Sequence, residues 1–138
     1  MLRLLTASLP AAAIATGLAL GFFAAPIDQA WAAKQRCGVA SWYALDGRRT
    51  ANGEIMNSSK MTAAHKSLPF GTKVQVTNLR NGKSAVVRIN DRGPFIRGRA
   101  LDVSKGAARK LGFTGRGHTR VAMKILSKHR FKRAANCA

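Results

Sequence analysis

Acidic residues are scarce in this sequence: five Asp and Glu stand against 24 Lys and Arg, for a formal net charge of +19. Any chemistry that needs a carboxylate must draw on Asp28, Asp46, Glu54, Asp91 or Asp102. Cysteine and histidine are also few, at two and three. Those counts argue against a dense disulfide framework and against a multi-ligand zinc site. Repeats, linkers and low-complexity tracts are missing too. What is present is a 46% hydrophobic content, enough for a packed core, in a length of 138 residues. One domain fits, or one domain with a processed segment. The positive charge invites an anionic partner, nucleic acid among them, because Lys and Arg neutralise phosphates and release counterions.

The first thirty-odd residues read as an address. Arg3 is the only charge before Asp28, and the stretch between them is rich in Leu, Ala, Ile and Phe. Ala30-Trp31-Ala32-Ala33 then offers an Ala-x-Ala cleavage site. A basic start, an apolar run and such a site describe a secretory signal peptide over residues 1–32. The run is long enough to admit a membrane anchor, but Pro10, Gly17 and Gly21 interrupt it. Removing the leader takes away one Arg and one Asp, so the charge stays at +19. No Leu-x-x-Cys lipobox precedes Cys37, where Lys34-Gln35-Arg36 stands instead. The expectation is an exported, periplasmic, soluble protein that meets cell wall and anionic lipid rather than nucleic acid. In that oxidising compartment Cys37 and Cys137 can pair. Closing so long a loop contributes roughly 4 to 5 kcal/mol in the chain-entropy model. Free or intermolecular thiols are the other reading.

Short strands and turns alternate through the rest. Gly38–Tyr43 reads as a strand, followed by a Gly- and Asn-containing loop from Asp46 to Ser59. Thr62–His65 is a second short strand. Lys73–Thr77 alternates, with Val74 and Val76 on one face. Asn81-Gly82 is a hairpin signal. Ser84–Asn90 returns with Val87 and Ile89 inward, and Asp91 continues that parity. Arg99–Val103 follows, then a short helix Lys105–Leu111 capped by Ser104 and stopped by Gly112. His118–Leu126 is the last strand, and a basic tail covers 127–138. Many short strands and one small helix in ~100 residues suggest a small closed β-barrel.

Among the acids, Asp91 ends an apolar strand. A carboxylate there, partly desolvated, can serve as a general acid. It can equally be a turn residue bonded to its own Asp-Arg-Gly-Pro backbone. Glu54 lies in the long loop, either as a functional group or as a solvated acid. His65 follows small residues and either orients a carboxylate or donates to a sugar, or is a satisfied, semi-buried side chain. His118 and His129 read as surface groups. Asp102 alternates with Leu101 and Val103, so it should leave the core face and pair with an Arg, while Asp46 looks like a turn residue. Trp42 and Tyr43 are adjacent, so on a strand they face opposite ways. One can pack in the core while the other offers a platform for a sugar ring.

Taken in order, the motifs Gly38-Val39-Ala40-Ser41-Trp42-Tyr43, Thr50-Ala51-Asn52-Gly53-Glu54, Thr62-Ala63-Ala64-His65, Leu68-Pro69-Phe70-Gly71-Thr72, Asn90-Asp91-Arg92-Gly93-Pro94-Phe95 and Leu101-Asp102-Val103-Ser104 closely resemble the rare lipoprotein A family of septal-ring lytic transglycosylases. The resemblance runs from about Gly38 to Leu126. It implies a mainly β fold, a six-stranded double-psi β-barrel with one or two short helices, spanning 33–126. It also implies peptidoglycan glycan strands as substrate, with a preference for strands stripped of stem peptides. The family's active-site acid falls on Asp91, and its accompanying groove residues on Glu54 and His65. Trp42, Tyr43, Asn52 and Arg92 are the expected substrate contacts.

The activity so implied is endolytic cleavage of the β-1,4 bond from N-acetylmuramic acid (MurNAc) to N-acetylglucosamine (GlcNAc), leaving 1,6-anhydro-MurNAc ends. The substrate's own 6-hydroxyl is the nucleophile, so one carboxyl can act as acid and then as base, whereas an ordinary glycosidase needs two. No metal or cofactor is required, and a monomer suffices. Family members commonly carry a lipobox and a second domain that binds denuded septal glycans; neither is seen here, so anchoring and septal targeting are not expected to carry over. Two other functions fit the composition: a non-catalytic, expansin-like wall-binding module, and a secreted cationic effector.

Overall fold

The computed structural model describes residues 35–126. The expected leader, the basic tail, His129 and Cys137 lie outside the described residues; Cys37 lies within them. Six strands follow in chain order: β1 (Gln35–Tyr43), β2 (Thr62–Ala64), β3 (Lys73–Asn78), β4 (Ser84–Asp91), β5 (Arg99–Ser104) and β6 (His118–Ile125). One helix, α1 (Lys105–Leu111), stands between β5 and β6. The strands close into a barrel in the order β1-β5-β2-β4-β3-β6. Two neighbouring pairs, β1 with β5 and β2 with β4, run parallel, and the other four run antiparallel. Closure leaves no open sheet edge. Each strand was expected, and most run one to three residues longer than the sequence pattern indicates. Barrel pairing recruits flanking residues whose side chains carry no alternation signal.

The alternation does the sorting. In β3, Val74 and Val76 are fully buried between exposed or half-buried neighbours, and in β4 Ala85, Val87 and Ile89 do the same. Leu101 and Val103 of β5 join them, with Val121, Met123 and Ile125 of β6. The helix closes the barrel with Ala107, Ala108 and Leu111. Its ends behave as the sequence indicates. Ser104 Oγ accepts the Ala107 N–H, and Gly112 takes a left-handed φ of 74° and donates its own N–H back to the last turn. Asn78 is the main polar group in the interior. Its Nδ2 donates to Leu111 O at 2.9 Å, and its Oδ1 accepts from Arg80 N and Thr119 Oγ1. That one amide ties the β3–β4 turn to the helix end and to β6, so it is buried with its bonds made.

Two features position the functional groups. The segment expected as an open loop folds into a hairpin of its own. Arg49 bridges Ile55, Met56 N donates to Arg48 O at 2.7 Å, and Thr50 N donates to Glu54 O at 2.7 Å. Asn52 N then docks the hairpin tip on Asn90 O at 3.2 Å. The second feature is a bulge. Along β2, Ala63 faces Ile89 but Ala64 faces Asp91, so Asn90 is left over. The alternation breaks there: Asn90 is buried and Asp91 is only half-buried. The expected inward parity of Asp91 is therefore corrected, because the extra residue re-aims its side chain.

Helix α1 leans on the segment before β2. Gly106 N donates to Ser58 O at 2.7 Å, and a Cβ at Gly106 would lie 2.7 Å from Ser59 O and 3.0 Å from Ser58 O. Alanine ordinarily favours a helix over glycine by ~0.5–1 kcal/mol. Here it meets backbone oxygens that cannot retreat without giving up the hydrogen bond. Gly106→Ala is expected to lower stability by about 1–2 kcal/mol in urea unfolding; a gain in stability would refute this account of the packing.

Candidate active site

The outer face of the β1-β5-β2-β4 arc carries the polar residues. Ala40, Ala63, Leu101, Val103 and Ile89 belong to the core cluster, so Ser41, Tyr43, Asp102, Ala64 and, after the bulge, Asp91 stand on the other side. Asp91 is held by three donors. Its Oδ1 accepts Ala51 N at 2.9 Å, from the hairpin, and Arg92 N at 2.8 Å, from its own turn. Its Oδ2 accepts the Tyr43 hydroxyl at 3.3 Å. The turn reading of Asp91 holds at one oxygen. Oδ1 also takes the hairpin's Ala51 N–H, and Oδ2 has the Tyr43 phenol.

Tyr43 and Trp42 divide as expected. Trp42 packs against the core and donates its indole N–H to Thr114 O at 3.1 Å, with Lys105 Nζ 5.7 Å from its ring centroid. It makes none of the hydrogen bonds around Asp91. Tyr43 reaches Asp91 instead. Burial, reinforced by the charges of Asp91 and Asp102, raises its pKa well above that of an ordinary phenol. It keeps its proton at any working pH.

Glu54 is fixed from every side. Arg88 clasps it with two bonds, of 2.6 and 2.9 Å, and Asn52 Nδ2 and Asn90 Nδ2 add bonds of 2.8 and 3.2 Å. The Arg88 bonds, then those of Asn52 and Asn90, pull its pKa down to about 2. It is a permanent carboxylate near neutrality and does not donate a proton there. Asn52 has a further use: its Oδ1 accepts from Thr50 Oγ1 at 2.6 Å and from Glu54 N at 3.1 Å, which shapes the hairpin tip.

His65 is 4% exposed. Its Nδ1 accepts the backbone N–H groups of Ser67 and Leu68 at 3.1 and 3.0 Å, which places the ring proton on Nε2. Burial first, then the charges of Arg36, Arg92 and Lys66, lowers its pKa to about 4. The ring is neutral. The contact with Asp91 runs through backbone, His65 N donating to Asp91 O at 3.1 Å. Arg92 locks the same corner. Its NH1 donates to His65 O and Leu68 O, at 3.2 and 2.9 Å, and its guanidinium lies 3.9 Å from the Phe70 ring centroid.

The remaining acids depart in detail from the sequence reading. Asp102 has no Arg partner among the described residues. Its Oδ1 accepts the Ser41 hydroxyl, its neighbour across the β1–β5 pair. Asp46 accepts Ser58 N and Ser58 Oγ at 2.5 and 2.7 Å and so closes a longer turn. His118 is exposed, as expected. Sequence reasoning missed Ser41, Arg88, Asn90 and the Ala51 N–H. Arg88 alone carried a signal, as a cation on the outward parity of β4. Among the described residues no helix is long and apolar enough to cross a membrane.

A closed six-stranded barrel with a carboxylate held at a bulge on its outer face defines a double-psi barrel domain. Residues 35–123 match the family described as "Lytic transglycolase", and the chain belongs to that family. A probable endolytic peptidoglycan transglycosylase RlpA of Synechocystis sp. is 60% identical over 91 residues, covering 64% of this chain and 28% of the relative. The endolytic peptidoglycan transglycosylase RlpA of Pasteurella multocida is 47% identical over 105 residues, covering 75% of this chain and 36% of the relative. The chain thus spans about a third or less of these relatives' lengths. Among solved structures, the expansin of Clavibacter michiganensis superposes with a TM-score of 0.56 at 22% identity, covering 70% of this chain and 52% of the expansin. A Streptomyces papain inhibitor superposes at 0.57 with 22% identity, covering 67% and 94%. These two share the fold.

The two shifted groups give separate acid windows. His65 has a lowered native pKa, so its contribution to stability is complete above about pH 6.5 and is lost as pH falls through about 4. Glu54 likewise contributes fully above about 4.5 and loses that contribution as pH falls towards 2. Its 38% side-chain exposure keeps the effect modest. Melting temperature measured against pH should therefore decline between pH 6.5 and 4. His65→Asn, whose Oδ1 can accept the same two N–H bonds, should flatten that decline, and Glu54→Gln should flatten only the part below 4.5. An unchanged slope in His65→Asn would remove the assignment of a neutral, Nδ1-accepting ring.

Proposed function

We propose that this barrel is the catalytic domain of an endolytic peptidoglycan lytic transglycosylase. It cleaves the MurNAc–GlcNAc β-1,4 bond of peptide-poor glycan strands and leaves 1,6-anhydro-MurNAc ends. The relatives' printed names support the activity, and the geometry of Asp91 supports the assignment of its acid. The carrying observation is the asymmetry of that carboxyl. Oδ1 is committed to two backbone N–H groups, and Oδ2 has one long bond, to a phenol. Protonated at Oδ2, Asp91 gives its proton to the leaving GlcNAc oxygen as the glycosidic bond breaks. The carboxylate then takes the proton of the MurNAc 6-hydroxyl as that oxygen bonds to its own anomeric carbon. The proton balance closes on one residue, and no water is consumed.

The other residues serve this step without exchanging protons. Tyr43 keeps its hydrogen and orients Oδ2. Glu54 is a fixed negative charge near the oxocarbenium that forms on the ring, and it holds the hairpin that delivers Ala51 N–H. His65 and Arg92 brace the backbone on either side of Asp91. Trp42, Asn52 and Arg92 enter mainly as supports, and Tyr43 stands nearest the sugar. The setting proposed is the periplasm, after removal of the leader, with the cationic surface resting against an anionic envelope.

Peptide-free glycan strands incubated with the protein should release fragments with 1,6-anhydromuramic ends, detectable by mass spectrometry. Asp91→Asn should lower the rate at least ~100-fold, within the range of general acid–base catalysis. An unaltered rate in Asp91→Asn would remove the residue assignment. Strand binding by the unsubstituted protein with no cleavage would favour the expansin-like module instead. Salt-sensitive DNA binding with no effect on strands would favour the cationic effector.

A further inference from the structure

The proposed mechanism makes no use of Asp102 or Phe95, yet both lie on the face that carries Asp91. The sheet register fixes their relation. Ala64 pairs with Asp102 on one side and with Asp91 on the other. Two strand spacings therefore separate the two acids along the backbone, roughly 10 Å. Ala64, the residue between them, has only a methyl group and is 3% exposed. The turn after Asp91 covers that methyl. A Cβ at Gly93 would lie 3.9 Å from Ala64 Cβ and 3.8 Å from Phe95 Cε2. The turn thus packs between the buried methyl and the edge of the Phe95 ring, and the ring is the part that stands exposed. Phe95 itself is 85% exposed, the most exposed large apolar side chain among the described residues.

Asp102 is organised rather than loose. Ser41, itself 4% exposed, gives its hydroxyl to Oδ1. Oδ2 has no partner among the described residues, and the side chain is half-buried. The charge of Asp102 is felt at Tyr43, whose phenol reaches Asp91, so the two carboxylates flank a shared polar space. A carboxylate acceptor at one end, a carboxyl at the other and an exposed aromatic ring beside them match the needs of a pyranose. Its C–H face packs on an aromatic ring, and its hydroxyls need acceptors at the rim. The span is of the order of one disaccharide repeat.

We infer that Asp102, held by Ser41, and the ring of Phe95 form a sugar-binding subsite adjoining Asp91. Asp102 Oδ2 accepts a hydroxyl of the saccharide next to the scissile bond, and Phe95 carries a pyranose face. The inference rests on Asp91 marking the point of cleavage, and it assigns binding, not proton transfer, to Asp102. Substrate contact is thereby placed on two residues that the family resemblance did not single out.

The test separates binding from turnover. In an Asp91→Asn parent, co-sedimentation with peptide-free glycan strands gives an affinity that no cleavage disturbs. Adding Asp102→Asn is expected to weaken that affinity about tenfold, the loss of one charge-assisted hydrogen bond. Adding Phe95→Ala should weaken it about three- to tenfold. Phe95 is exposed enough for its removal to leave the melting temperature unchanged, so this arm stands even if Asp102→Asn is less stable. With Asp91 intact, both variants should raise KM and leave kcat within about threefold. Parental affinity in both variants overturns the subsite and leaves the role of Asp91 standing. A fall in kcat with KM unchanged also overturns it. A parent that binds strands through these residues, while the unsubstituted protein yields no anhydro ends, overturns the reaction and leaves the subsite standing.

Discussion

The pairing of β2 with β4, and the one residue that pairing leaves over, governs the groove. Val87 and Ile89 point into the barrel, and unbroken alternation would send Asp91 after them. An ionised carboxylate in that apolar interior would cost several kcal/mol without a partner. The bulge at Asn90 moves the cost to a neutral amide, which is buried with its Nδ2 bonded to Glu54. Asp91 emerges half-buried on the outer face, within reach of the hairpin, the turn and Tyr43. The register is held by burial, because a one-residue slip of β4 would turn Val87 and Ile89 out of the core.

The scarcity of acids shapes the electrostatics more than the abundance of bases does. Every acid among the described residues is tied down: Asp46 to Ser58, Glu54 to Arg88, Asp102 to Ser41, Asp91 to Ala51 and Arg92. Arg88–Glu54 is the one ion pair within 4 Å among those residues. Most cations therefore face solvent, where each contributes little to stability and all contribute to the field around the molecule. That field attracts anions to the surface as a whole. One spot differs locally, since Ala64 is flanked there by two carboxylates, Asp91 and Asp102, on a basic body.

The barrel was legible because its strands alternate and its helix is signed at both ends by Ser104 and Gly112. The core followed directly from Val74, Val76, Val87, Leu101 and Val103. What escaped were features that alternation cannot encode. A bulge is a property of two strands together, and β4 alone gives no sign that Asn90 is the extra residue. The hairpin from Arg48 to Met56 is held by backbone bonds and by Asn52, so its sequence reads as loop. Asp102 left the core face as its parity required. Its partner was hidden, because Ser41 lies on a strand sixty residues earlier in the chain and meets it only through parallel pairing. The family resemblance named Asp91, Glu54 and His65 together, but their chemistries differ in ways that only packing reveals.

Those differences bear on how one carboxyl can serve a whole reaction. A residue that must give and then retake a proton cannot be clamped by a strong cation on both oxygens, as Glu54 is by Arg88. Nor can it be sealed away, as His65 is by burial and by two backbone N–H groups on Nδ1. Asp91 avoids both conditions by splitting its duties between oxygens. The backbone fixes Oδ1, which sets the position of the carboxyl to within a hydrogen bond's tolerance. Tyr43 touches Oδ2 weakly, at 3.3 Å, and can donate to the carboxylate or accept from the acid by turning its hydroxyl. The same atom can thus be stabilised in both protonation states without moving. A barrel that shares its fold with expansins needs no change of architecture to acquire or lose cleavage. In the proposed reaction, cleavage rests on whether that one oxygen stands open to the sugar.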